Sequence, residues 1–340
     1  MKHNILLPIA MTMAILFTSC SNSSIPTNKK EVMDRFLEGT LDPSYVPAAF
    51  FIHYGWGKTE GDPAVQAHLE YFLKSNMDIL KVQFEQTIPR IGDPSEQETW
   101  ENLVPMPEDF YKPTLGIIKR IQEIAGDNVY VIPTIYSPCQ VAHQSLTQEG
   151  IKTAAKEHPE ELKRMFENYA DALLYLVREC KAIGIQGFYL PTQGGEAYFN
   201  DVPGFFDEFV KPFDLTVMNE CVEGTKLNIL HICDWEGAYD DLTKFKDYPC
   251  QIVNTPIIVD GKPFTAADGE ALFGRPVLGG MDRHGIIVDG SEEEVAAAVK
   301  SSLSACPAGR TILGAECTVT GAPIENIQTA ISTAHHWGLK

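Results

Sequence analysis

Eight apolar, strand-like runs recur along the chain, separated by amphipathic or irregular stretches, and this alternation restricts the fold more than any single motif does. The runs are PAAFFIHYG (47–55), MDILKVQFE (77–85), NVYVIPTIY (128–136), GIQGFYLPT (184–192), LNILHICDW (227–235), QIVNTPIIV (251–259), RPVLGGMD (275–282) and TILGAECTV (311–319). Helix-like segments such as PAVQAHLEYFLKS, LGIIKRIQEIAG and PEELKRMFENYADALLYLVREC lie between them. Eight such units predict one α/β domain, a single (β/α)8 TIM barrel over residues 45–340, whose catalytic groups sit at the C-terminal ends of the strands. A doubly wound open sheet would carry a phosphate-binding glycine fingerprint after its first strand, and HYGWGKTEG has the wrong spacing. Gly279-Gly280 is expected to let a strand end approach its neighbours. The long connections 86–114 and 137–160 are expected to be loops that shape or cover a site.

Two of the runs end in soft metal ligands. Alternation along a strand sends His231 and Cys233 to one face and turns Ile232 and Asp234 away, the geometry a chelate needs. Cys317 closes the eighth run and can reach the same point across the mouth of a barrel. One histidine and two thiolates suit zinc, and three protein ligands leave an open fourth position, the mark of a catalytic rather than a structural ion. A thiol bound there loses its proton near neutral pH and stays nucleophilic, so the site suits alkyl transfer to sulfur better than hydrolysis. In an oxidising compartment the same two cysteines could instead pair as a disulfide.

The formal charge of −19 and pI near 4.8 count against nucleic acid and against an anionic membrane surface as binding partners. The first twenty residues form a separate unit. Lys2 and His3 precede the apolar stretch ILLPIAMTMAILF, which ends at Thr18-Ser19-Cys20 as a signal peptide of the lipoprotein type would. The expectation is a lipid anchor at Cys20, a polar tether over residues 21–31 within an N-terminal segment reaching residue 44, and a place in the envelope of a Gram-negative bacterium, facing the periplasm or the outside. Cys139, Cys180, Cys221, Cys250 and Cys306 are expected to be free thiols, most of them buried. His335-His336 reads as a surface pair, because adjacent helix residues do not share a face, and Ser291 followed by Glu292-Glu293-Glu294 reads as a helix start.

With these residues in view, roughly residues 45–338 resemble the uroporphyrinogen decarboxylase superfamily, through NMDILKVQFEQTIP, LNILHICD, VLGGMDRHGIIVDGSEEEVAAAVKSSL and TILGAECTVTGAPIENIQTAI. The resemblance implies a (β/α)8 barrel. Its methyltransferase branch, which transfers a methyl group from a corrinoid to a zinc-held thiol, binds the metal at positions matched by His231, Cys233 and Cys317. The decarboxylase branch, which acts on a tetrapyrrole, carries arginines after the first strand, where this chain has only Lys58. Its key aspartate stands where this chain has Glu85. Glu85 is therefore expected as a general acid/base or a fourth metal ligand, or else as a loop acid paired with Arg90. Asp282, at the end of the seventh run, is expected in a catalytic role, with loop capping as the alternative, and His284 beside it is expected as an exposed loop residue or else a substrate contact. His53, Tyr136, Gln193 and Asn254, at other strand ends, are candidate liners of a cofactor pocket, with packing or bonding to the backbone as the alternative for each. Three functions stay open: a zinc-dependent methyl or alkyl transferase to a small thiol, with a corrinoid protein as its possible partner; a decarboxylase of the uroporphyrinogen type; and an anchored, non-catalytic protein that captures a metal, tetrapyrrole or corrinoid.

Overall fold

The computed structural model of the protein describes residues 28–307 and 309–338; the expected signal peptide, the Cys20 anchor and most of the tether lie outside the described residues. Seven of the eight runs form parallel strands: β1 (Ile79–Val82), β2 (Tyr130–Pro133), β3 (Gly187–Thr192), β4 (Leu227–Ile232), β5 (Ile252–Asn254), β8 (Val277–Met281) and β9 (Thr311–Ala315). Two ladders, β1-β2 and β3-β4-β5-β8-β9, are joined by a parallel bridge from Thr134 to Tyr189. The first run makes no regular strand, since Pro47 has no N–H to give and the chain is bonded to its neighbours only where it enters the wall. It still closes the ring. Ala49 N–H donates to Leu313 O at 2.8 Å, Leu313 N–H to Pro47 O at 2.8 Å and Asp78 N–H to Ala48 O at 2.9 Å. Gly314 is required at this seam, because a Cβ there would stand 2.6 Å from Ala49 O. A similar constraint holds at Gly280, whose φ of +105° and close approach to Ser302 require a glycine, whereas a Cβ on Gly279 would meet only an ordinary contact.

The strands are shorter than the runs because the chain leaves each ladder a few residues early, and residues past the last bond, with some from the strands themselves, line the mouth. The sixth run is the clearest case. It stops at Asn254 before Pro256, and Ile258–Val259 (β6) turns instead into a two-residue hairpin with Lys262–Pro263 (β7) outside the barrel.

Helices cover the outer wall where the sequence repeats apolar residues at helical spacing. Pro159–Ile183 buries Leu162, Met165, Phe166, Tyr169, Leu173, Leu176, Val177 and Cys180 on one stripe and ends at Gly184 in the left-handed region. Ser291 and Glu294 cap each other at the start of Glu292–Ser304, as expected. Two expectations are corrected. The 137–160 connection is mostly helical, Pro138–Leu146 and Gln148–Glu157, started by the side chains of Ser137 and Thr147 that accept from Gln140 and Gly150 N–H. Residues 29–31, read as the end of a tether, open the helix Lys29–Glu38, which Asn28 caps and which buries Val32, Met33 and Phe36.

That helix lies under the strands' N-terminal ends and feeds the most concentrated polar contact in the molecule. Asp78, 0% exposed, accepts from Lys29 Nζ at 3.0 Å, Tyr45 Oη at 2.6 Å, Ala48 N–H at 2.7 Å and His335 Nε2 at 2.8 Å. The surface reading of the histidine pair is thus half wrong: His336 is exposed, but His335 faces inward from the last helix, Ile324–His335, and stacks on Tyr45. His335 and Lys29 hold the Asp78 carboxyl far below the ordinary carboxylate range against the opposing effect of burial. Replacing it as D78N leaves these donors around a neutral amide and should cost about 3 to 5 kcal/mol of unfolding free energy in urea at pH 7. An unchanged midpoint would show that the barrel closes without this carboxylate.

Candidate metal centre and active site

The C-terminal ends of the strands surround a cavity of about 800 Å³. His231 lies in β4, Cys233 follows that strand and Cys317 follows β9, so all three converge from opposite sides of the ring. Their donor atoms lie within 4.8 Å of one another and all three residues are buried. Around a tetrahedral zinc the same donors would stand about 3.4 to 3.8 Å apart, given the usual Zn–N and Zn–S bond lengths, so a small contraction completes the site. Two further observations fit a metal. His231 Nδ1 is buried and finds no hydrogen-bond partner among the described residues, and its ring is held by stacking on Tyr189 at 5.2 Å. Both cysteines are free thiols, so the disulfide that the sequence also allowed is not formed. The hydrogen bond between the two thiols, with help from His231 and Arg283, holds Cys317 well below the ordinary thiol range, while that same bond and burial push Cys233 up.

Of the other expected site residues, four line the cavity and two do not. Glu85 accepts from Tyr54 N–H at 2.8 Å and from His53 Nδ1 at 3.1 Å; its partners are these two, and not Arg90. Gln193 donates from Nε2 toward Cys233 Sγ at 3.7 Å and accepts from His143 Nδ1 at 3.3 Å. Tyr136 accepts from Gln83 Nε2 at 3.4 Å. Asn254, expected as a liner, is fully buried outside the cavity and spends its amide on the wall, accepting from Tyr189 Oη at 2.9 Å and donating to Leu278 O and Ala315 O at 2.9 and 3.0 Å. Asp282 is exposed and away from the cavity. Its carboxylate accepts from His284 N–H at 2.8 Å, so it caps a turn in place of the catalytic role expected for it, and His284 is exposed as well.

A uroporphyrinogen decarboxylase family match spans residues 77–337. The chain belongs to this family. Among curated proteins none matches the chain. Two solved structures share the barrel: a methyltransferase from Methanosarcina mazei, 15% identical, with TM-score 0.73 over 91% of this chain and 99% of that one, and a B12-independent methionine synthase from Shewanella sp. W3-18-1 in complex with selenomethionine, 13% identical, with TM-score 0.55 over 86% and 97%. At these identities the likeness is one of fold, and it agrees with the ring described above.

Within this family barrel, the least anticipated site residue is Lys81 in the middle of β1. It is 6% exposed, lines the cavity, bonds to Gln83 Oε1, and lies over the rings of Phe51 and Tyr189 at 4.8 and 4.6 Å. The signal was present in MDILKVQFE, where Lys81, Gln83 and Glu85 alternate on one face of an otherwise apolar run. Below Gln83, its N–H donates to His68 Nε2 at 3.0 Å while His68 Nδ1–H donates to Ala64 O at 2.8 Å. Burial lowers His68 to about 4, so this imidazole is neutral and fixed in one tautomer. His143 was missed for a different reason: it comes from the helix Pro138–Leu146 in a segment read as loop.

Burial lowers Lys81 to about 8, with Cys317, Glu85 and Cys233 acting in the opposite direction. Between about pH 8 and the ordinary lysine value near 10.4 the folded chain therefore holds fewer protons than the unfolded one, so stability rises with pH across that window and the cost of the buried charge is fully present at pH 7. For the metal-free protein, K81M should raise stability at pH 7 by about 2 kcal/mol after allowing for lost cation-π contacts, and by much less at pH 10. Urea unfolding at the two pH values checks this; a destabilised K81M at pH 7 would contradict it.

Proposed function

We propose that this protein is a zinc-dependent transferase that moves a methyl or other small alkyl group onto the sulfur of a small thiol. The observation that carries the reading is the convergence of His231, Cys233 and Cys317 at the inner wall of the mouth cavity. These residues would hold the ion, and zinc so held supplies a thiol-binding position at which sulfur loses its proton and stays nucleophilic. The chain's own groups support the remaining requirements. Gln193 fixes the Cys233 sulfur through its amide, and His143 fixes Gln193 in turn. Glu85, oriented by Tyr54 N–H and His53, is an acceptor at the rim for the proton a thiol gives up. Phe84, Tyr136 and Tyr189 present apolar wall that limits water around the sulfur. Lys81 adds the only ammonium among the described lining residues, with Arg90 as the one guanidinium.

That scarcity of cations also weighs against tetrapyrrole decarboxylation. Lys58, the one basic residue of the segment after the first run, is exposed and off the cavity, so a substrate with many carboxylates would find few partners. A cavity of about 800 Å³ suits a small acceptor, while a donor as large as a corrinoid would present its methyl group from the rim, carried by a partner protein. In the same reading the chain is anchored in the cell envelope by lipid at Cys20. The first helix, Lys29–Glu38, sits under the barrel, where Lys30 N–H donates to Asn128 O at 3.0 Å, so the mouth would point away from the membrane.

Purified protein should hold one zinc per chain, and H231A and C317S should lose it on dialysis against a mild chelator. Mixed with a methylcorrinoid and small thiols, the wild-type protein should yield the S-methylated product by mass spectrometry and the two variants should not. Wild-type protein without zinc, or variants with unchanged metal content, would remove the proposal.

A further inference from the structure

The two thiols stand on strands that no hydrogen-bond ladder relates directly: β5 and β8 lie between β4 and β9. Something else must set the distance between their tips. Alternation turns Asp234, which follows Cys233, and Glu316, which precedes Cys317, away from the ligand face. Both meet Arg283, which follows β8. Its Nη1 donates to Asp234 Oδ1 at 2.6 Å, its backbone N–H donates to Glu316 Oε2 at 2.9 Å, and Nη1 lies 3.7 Å from Glu316 Oε1. Nε donates to His284 Nε2 at 3.0 Å, and the guanidinium carbon lies 5.6 Å over the Trp235 ring. Arg283 is 8% exposed and Glu316 3%, so these are desolvated contacts and not a solvated surface pair. Arg283 does not line the cavity.

We infer that Arg283 is a positioning residue that sets the separation of Cys233 and Cys317, by clamping the acidic neighbour of each ligand to one guanidinium and its own backbone. The inference rests on the metal reading of the centre. The guanidinium meets Asp234 with Nη1 and His284 with Nε, two donors held at a fixed spacing in one plane, which a lysine ammonium would not reproduce. The sequence reading passed over Arg283 between Asp282 and His284; the middle residue of that triplet is the one that touches the ligand strands.

The test is zinc affinity, measured on the full chain by competition with a chromophoric chelator, together with the thiolate-to-cobalt absorption of the cobalt-loaded protein. R283Q should bind zinc about 10- to 100-fold more weakly while keeping the cobalt band at saturating metal, and R283K should fall between it and the wild type. D234N, at a half-buried position, should shift affinity the same way by a smaller factor, and decides the matter if R283Q does not fold. Wild-type affinity in folded R283Q, or in D234N where R283Q does not fold, overturns the inference and leaves the metal reading standing. A wild-type protein that binds no zinc overturns both.

Discussion

The buried carboxylate of Asp78 holds together four segments that are far apart in sequence: the first helix through Lys29, the first wall segment through Tyr45 and Ala48 N–H, β1 through its own backbone, and the last helix through His335. A barrel wall has to meet itself, and here it does so through a segment too irregular to form a ladder of its own. Asp78 supplies at the bottom of that seam what regular strand pairing would otherwise provide. The site depends on this closure. β9, which carries Cys317 just past its end, is held on one side by its ladder with β8 and on the other by the first wall segment, where Gly314 admits the carbonyl of Ala49.

The top of the barrel follows a different rule. Polar groups there are buried at a cost and kept in place by neighbours rather than by solvent. Lys81 is held within the wall near 8, and Glu316 is pushed by burial to about 7 despite Arg283 beside it. Within the cysteine pair, Cys233 is pushed above and Cys317 held below the ordinary thiol range. Lys81, Cys233 and Cys317 line one cavity and Glu316 adjoins Cys317, so groups displaced from their ordinary ionisation are concentrated at this end of the barrel.

Much of this was legible in the sequence because two periodicities carry it. Runs with alternating faces placed His231 and Cys233 together, and the strand-end rule for barrels brought Cys317, Glu85, His53, Tyr136 and Gln193 to the same mouth. Strand-end position alone could not separate a residue that faces the cavity from one that faces the wall or a turn, which is why Asn254 and Asp282 went astray. Lys81 and Arg283 were hidden by composition. A lysine inside an apolar run reads as an interruption, and an arginine after a strand reads as surface, until their partners are seen. His335 was misread because the rule about adjacent helix residues says only that the two differ in facing, and not that both face out.

The central claim is that two sulfurs and one imidazole of this chain surround a zinc ion. X-ray absorption at the zinc edge of the purified, zinc-loaded protein reads that shell directly. Two sulfur scatterers at about 2.3 Å, one imidazole nitrogen at about 2.0 Å and a single further light ligand are expected. A shell made only of nitrogen and oxygen would contradict the claim.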